Sequence, residues 1–240
     1  MKKSLLMMLI AGLTSCMGDD VFRDVQGTVK STDPTSLNIP GSPTPTITLR
    51  GRAADEFQTE FVQTTLNTPL SNFIMRKVPK KSPAIFEVKH PSFDPVISFP
   101  YDLNASGSIT LPAVPSGTVA IIVDQVETLS GTTIGTNSGM ILGQLNSEGS
   151  AGQGCATIRS VTIKDKETGG NVSVIGPYYF NNNGQVQNTA TFQDTQCTYV
   201  MANVLPGVYI LEFLDSSLVK QAEHEVVVIE GNVSFGMDVP

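Results

Sequence analysis

The chain has 240 residues, and its 15 lysines and arginines against 22 aspartates and glutamates give a formal net charge of −7. This acidic balance argues against general binding to nucleic acid or to anionic membranes, because phosphate binding needs clustered lysines and arginines. The length permits one large domain or two small ones. With 21 glycines, 15 prolines and no tryptophan, the composition favours many short strands joined by tight turns.

The first fifteen residues have the layout of an export leader. Lys2 and Lys3 provide a positive start, and an apolar run over residues 5–13 follows them. This run is far shorter than the ~20 apolar residues that cross a bilayer as a helix. The pattern therefore predicts a cleaved signal peptide over residues 1–15.

The leader closes on Leu13-Thr14-Ser15-Cys16, which resembles the lipobox of bacterial lipoproteins. The resemblance implies cleavage before Cys16 and attachment of lipid to that residue, and two or more acyl chains give stable membrane anchoring. Met17 rather than aspartate follows the cysteine, which in Gram-negative lipoproteins favours the outer membrane. Residues 16–24 are then a polar tether, and the lipid-anchored body is expected at the periplasmic or surface face of the envelope.

Two further cysteines, Cys155 and Cys197, remain in the exported body. Outside the cytoplasm such a pair tends to be oxidised, so we predict a disulfide between them. On the chain-entropy model this bond would stabilise the fold by ~4 kcal/mol. Two buried free thiols are the alternative.

The first half of the body predicts strands separated by turns. Residues 25–29 and Thr46–Arg50 alternate apolar and polar side chains, as a half-buried strand does. Residues 53–100 are less regular, and there the spacing of Phe57 and Phe61 suggests a short helix. A turn at 104–107 then precedes an alternating strand at 108–111, and the β-branched run 118–123 predicts a buried strand. The segment 128–137, rich in small and polar residues, marks a boundary.

A cluster of cations within residues 76–90 is the sharpest charged feature. It could dock an anionic glycan, a lipid head group or an acidic protein, although a solvated, proline-stiffened surface loop is the favoured explanation. The candidate binding residues in this cluster are Arg76, Lys77, Lys80 and Lys81.

The second half repeats the pattern of the first. Gly27 and Gly143 are the matching first-strand glycines, and the predicted strands and turns recur in the same order: residues 139–144, 161–164, 181–184 and 203–213 match 25–29, 47–50, 104–107 and 113–123. Two tandem β-sandwiches are therefore predicted, at 25–130 with an insertion at 53–100, and at 137–240.

The repeat resembles the carboxypeptidase regulatory-like family, also described as transthyretin-like or collagen-adhesin B-type repeats. The family frame has a Gly-x-Val first strand, a turn ending in glycine, and a Val-Pro-x-Gly-x-Tyr-x-Leu strand, which residues 204–211 follow closely. The first copy departs from it, with Val119 where the family has tyrosine. The resemblance implies an all-β, Ig-like or transthyretin-like sandwich fold for each copy and says little about function.

No catalytic constellation stands out in the sequence. There are two histidines, no known nucleophile or phosphate-loop motif, and no set of metal ligands with suitable spacing, so neither a metal nor a cofactor is predicted. Tyr178 and Tyr179 could stack on sugars, although strand alternation explains them without a ligand.

Together these features predict a non-enzymatic, membrane-anchored module for binding, display or structural support, whose partner is an envelope or extracellular protein. The alternatives are a carbohydrate-binding module and an accessory domain of an envelope enzyme complex.

Overall fold

The computed structural model describes residues 22–32, 45–50, 60–67, 70–79, 83–103, 108–145, 157–194 and 196–237. These ranges contain three β-sheets and a single helix. The predicted all-β sandwich class is confirmed. The leader, Cys16, residues 17–21 of the tether and Cys155 lie outside the described residues. Residues 22–24 already belong to the first strand, so the predicted polar tether over residues 16–24 is wrong at its end.

The described residues of the first half form seven strands. They are β1 (Phe22–Ser31), β2 (Thr46–Arg50), β3 (Glu60–Asn67), β4 (Leu70–Pro79), β5 (Ile85–Lys89), β6 (Val96–Ser98) and β7 (Ser108–Ala113).

A helix and eight strands follow. They are α1 (Thr118–Ser130), β8 (Gly139–Gln144), β9 (Ser160–Asp165), β10 (Ile175–Phe180), β11 (Val186–Gln187), β12 (Thr198–Val204), β13 (Gly207–Leu214), β14 (Lys220–Val228) and β15 (Val233–Met237).

The strands form two sandwiches that share one sheet. A four-stranded sheet, β3-β4-β1-β7, packs on one end of an eight-stranded sheet, β11-β10-β12-β8-β15-β6-β5-β2, and a three-stranded sheet, β14-β13-β9, packs on the other end. The first core joins Val25 and Phe73 to Leu49 and Phe86. The second joins Tyr199 to Leu211 and Phe213, among others.

The two halves meet inside the eight-stranded sheet. The last strand, β15, runs parallel to both β8 and β6, with Val233 opposite Met140 on one side and Val96 on the other. Backbone hydrogen bonds therefore link the first half directly to the second.

Segment 53–100, which we predicted to be an insertion, is part of the sandwich. It contains β3 to β6; of these, β4 pairs with β1 and β5 pairs with β2. The segment thus supplies strands to the four-stranded sheet and to the eight-stranded sheet. The prediction that it is an insertion is therefore wrong. Its alternation is visible at Phe73 and Met75, which are buried on either side of a half-buried Ile74. The predicted helix at Phe57 and Phe61 is also wrong at Phe61, which lies in β3, whereas Phe57 lies outside the described residues.

The topology also changes how the two copies align. Strand β13 pairs with β9 in the second copy, and β5 pairs with β2 in the first. Strand β5 is therefore the counterpart of β13. The first-copy equivalent of residues 204–213 accordingly begins near residue 78. The predicted match to residues 113–123 is wrong, because the turn at Gly117 opens a helix.

Helix α1 replaces the strand predicted over residues 118–123. Ile122 and Val126 are buried, and Val119 and Val123 pack beside them on the outer face of the eight-stranded sheet. These positions recur at the spacing of one helix face. Tertiary packing has therefore overridden the strand preference of β-branched residues.

The two first-strand glycines have the same structural role. Gly27 lies opposite Phe73 on β4, and Gly143 lies opposite Tyr199 on β12. A Cβ atom would stand 2.6 Å from the Phe73 ring at the first position and 2.4 Å from the Tyr199 ring at the second. In each half an aromatic ring therefore occupies the space that a side chain would need.

Candidate functional site

The structure places only some of the predicted site residues. Arg76 is exposed on β4 with Glu60 of β3 as its strand partner. Lys77 also lies in β4, although its side chain is not among the described parts of the chain. Lys80 and Lys81 lie outside the described residues. A binding role for this cluster stays a prediction.

Cys197 is buried and disulfide-bonded. Since Cys155 lies outside the described residues, the predicted pairing between the two stays a prediction.

Tyr178 and Tyr179 do not form an exposed aromatic platform. Strand alternation puts Tyr178 in the core beneath α1 and Tyr179 in the core of the second sandwich, and both rings are buried. The backbone N–H of Val161 donates to the Tyr179 hydroxyl oxygen at 3.2 Å, and the Phe192 ring lies 4.7 Å away. Stacking of these two rings on a sugar is therefore contradicted, because Tyr178 is only 8% exposed and Tyr179 only 1%.

A cleft of about 480 Å³ lies beside the first turns of α1. Its other wall is the turn 181–184 after β10, and its floor is the outer face of the shared sheet. We call it the α1 cleft. Its apolar lining residues are Val114, Pro115, Ile121, Ile122, Leu142, Phe180 and Phe235, and its polar ones are Thr32, Thr118, Asn181, Asn182, Asn183, Gln144, Asp194, Gln196 and Thr198, with Gly184 completing the turn.

Hydrogen bonds hold α1 in place against the sheet. The Asp94 carboxylate accepts the N–H of Gly117 at 2.9 Å and the N–H of Val119 at 2.7 Å, which satisfies two donors at the start of the helix. Further along, the Gln125 side-chain oxygen accepts the N–H of Val186 at 2.6 Å. This wall of the cleft is therefore fixed before any ligand arrives.

The opposite wall is also preformed. The Asn181 side-chain oxygen accepts the N–H groups of Asn183 and Gln185 at 2.9 and 3.0 Å, and its amide nitrogen donates to the Gln185 side chain. Asparagine in this position builds the turn from its own side chain. The turn signal was visible in the sequence, but its position against α1 was not.

The polar end of the cleft contains an unsatisfied acceptor. Gln144 is only 6% exposed; its amide nitrogen donates to Gln196 at 3.5 Å, whereas its Oε1 has no partner among the described residues. Beside it, Asp194 accepts the N–H and hydroxyl of Thr198 at 2.9 and 2.5 Å. Burial raises the pKa of Asp194 despite these hydrogen bonds.

These features define what the α1 cleft can accept. Among the residues that the structure describes, no lysine, arginine or histidine lines it, so these residues offer nothing to neutralise an anion. It suits a neutral or cationic group with an apolar body and an N–H or O–H donor for Gln144. Among the described residues, no group of three or more side chains could hold a metal ion. No helix in this part of the chain is long and apolar enough to span a bilayer.

No protein-family model matches the chain, and no curated protein matches it significantly. Among solved structures, it is similar to a streptococcal ancillary pilin (10% identity, 90% of this chain and 68% of the pilin, TM-score 0.28). It is also similar to the Bacillus anthracis TIE protein (9%, 89% and 33%, 0.25) and to GBS52, the minor pilin of Streptococcus agalactiae (12%, 90% and 97%, 0.22). TM-scores this low carry no argument about function, and the all-β class rests on the strands themselves.

Proposed function

We propose that this chain is a non-enzymatic binding module of the bacterial cell envelope, anchored through lipid at Cys16, which holds a segment of a partner protein in the α1 cleft. The leader, the lipobox and the predicted bond between Cys155 and Cys197 support export and anchoring. The observation that carries the binding role is the α1 cleft, where an apolar floor ends at the Gln144 oxygen, which has no partner within the described part of the chain.

A polypeptide supplies both groups that would complement the cleft, an apolar side chain for its floor and an N–H donor for Gln144. A bulky apolar side chain covers Leu142, Phe180 and Phe235. A neighbouring backbone N–H then pairs with the Gln144 oxygen, which is shielded from solvent here and becomes reachable when its side-chain amide turns toward the cleft. Pockets of this size commonly combine apolar walls with a few polar groups that fix orientation. Phosphorylated or carboxylated ligands are disfavoured, because the described lining residues include a carboxyl group and no cation.

The test uses N-phenyl-1-naphthylamine, a neutral apolar fluorophore with one N–H donor, and N-acetyl-leucine amide as its competitor. Wild-type protein is expected to bind the fluorophore saturably and to release it to the competitor. Ile121 lines the cleft and is 59% exposed. Replacing it in Ile121→Ala removes apolar contact and should weaken binding about tenfold.

Leu129 provides the matched control. It lies on the same helix, is 40% exposed, and does not line the cleft. Leu129→Ala should bind like the wild type. Equal losses in both variants, or fluorescence that the amide cannot compete away, would contradict peptide binding in the α1 cleft.

A further inference from the structure

A second groove of about 430 Å³ lies at the other end of the shared sheet, where β2 forms the edge. We call it the His90 groove. Its lining residues are Thr46, Glu87, Val88, Lys89, His90, Pro91, Phe93 and Pro95.

His90 lines this groove and carries a buried, unsatisfied donor. The residue is 8% exposed and packs on the Phe93 ring, with centroids 5.1 Å apart. Its Nδ1 accepts the backbone N–H of Ser92 at 3.0 Å, so in the neutral ring the proton lies on Nε2. That Nε2 has no partner among the described residues. A buried N–H without an acceptor is costly. Because this nitrogen is shielded from solvent, an acceptor that enters the groove reaches it only after the imidazole ring shifts toward the groove, and the new hydrogen bond would then remove that cost.

Counted over the described residues, the neighbouring charges leave a local excess of one cation. Glu87 is buried and accepts from Arg50, whose Nε stands 2.7 Å from Glu87 Oε2, while Lys89 Nζ lies 3.4 Å from the same oxygen. Two cations thus share one carboxylate. The Lys89 side chain is 51% exposed, so its ammonium can turn toward a ligand while Arg50 keeps Glu87 paired.

We propose that the His90 groove binds an oxyanion, a carboxylate or phosphate group carried by a larger ligand. The His90 Nε2–H donates one hydrogen bond and Lys89 supplies a charge-assisted one. A metal cation does not fit, because the protonated Nε2 and the ammonium of Lys89 would repel it. The proposal is independent of the α1 cleft, whose described lining residues include no cation. It places anion recognition in a groove rather than on Arg76, Lys77, Lys80 and Lys81.

Imidazole NMR can test this, since the chain contains two histidines, His90 and His224. Long-range proton–nitrogen spectra at about pH 8, where an ordinary histidine is neutral, would be assigned with His90→Gln. Inorganic phosphate, acetate and chloride would be added at equal ionic strength. Phosphate or acetate should shift the His90 signals saturably, with chloride inert and His224 unmoved. Whichever anion binds more tightly, phosphate or acetate, indicates whether the natural ligand carries a phosphate or a carboxylate group.

Two lysine variants make the test specific. Lys89→Gln should weaken the anion about tenfold, as expected for loss of one charge-assisted hydrogen bond. Lys166→Gln removes a cation that is 48% exposed and paired with Glu225 in another sheet, and it should leave binding unchanged. No saturable shift with either oxyanion, or equal weakening by both variants, would overturn the proposal.

Discussion

Two buried tyrosines show how a single hydroxyl group can raise or lower the stability of a core. Tyr179 and Tyr199 are neighbours across β10 and β12, and burial raises the pKa of both, so both stay protonated. The Tyr179 oxygen accepts the Val161 N–H, whereas the Tyr199 hydroxyl is buried without a partner among the described residues. The Tyr199 ring itself is needed, since it fills the space above Gly143.

Removing these hydroxyls should therefore have opposite effects. Tyr199→Phe keeps the ring and removes an unsatisfied polar group, so the free energy of unfolding should rise by about 1 kcal/mol. Tyr179→Phe leaves the Val161 N–H unpaired and should lower it by about 1 kcal/mol. Urea unfolding followed by circular dichroism measures both. Changes of the same sign would show that the two hydroxyls are equivalent in the folded state.

At the level of elements, the sequence predicted what depends on neighbours in the chain and missed what depends on distant ones. Alternation placed Tyr178 and Tyr179 on opposite faces, and the matching glycines Gly27 and Gly143 do occupy equivalent positions under aromatic rings. Helix α1 was missed because its start is capped by Asp94, far earlier in the chain. The α1 cleft was missed with it, since the helix forms one of its walls.

The dependence of α1 on Asp94 can be measured. Asp94→Ala removes the acceptor for the Gly117 and Val119 N–H groups and should lower the free energy of unfolding by about 1–2 kcal/mol. Affinity for the fluorophore should fall as well, because Ile121 and Ile122 would lose their fixed position. Asp124→Ala, an exposed change on the same helix, is the control and should leave both quantities unchanged. If the two variants have the same free energy of unfolding and the same affinity for the fluorophore, the hydrogen bonds from Asp94 do not determine the position of the helix.

Across the whole molecule, the shared sheet makes one body of two sandwiches. Phe99 follows β6 of the first half, yet it belongs to the core of the second half and stacks on His224 with ring centroids 5.4 Å apart. Its N–H donates to the Phe235 carbonyl of β15 at 3.1 Å. Backbone pairing and this ring together couple the halves, so we expect the two cores to unfold in a single transition.

Phe99→Ala tests this coupling directly. Loss of a buried phenylalanine should cost about 3–5 kcal/mol, and because the ring bridges the halves, the cores should then open separately. Hydrogen exchange with mass spectrometry would report this as equal opening free energies for β1 and β13 in the wild type and unequal ones in the variant. Phe192→Ala empties a site within the second core alone, so it should destabilise β1 and β13 together. Unequal opening of β1 and β13 in the wild type would mean that the shared sheet joins the halves without making their folding cooperative.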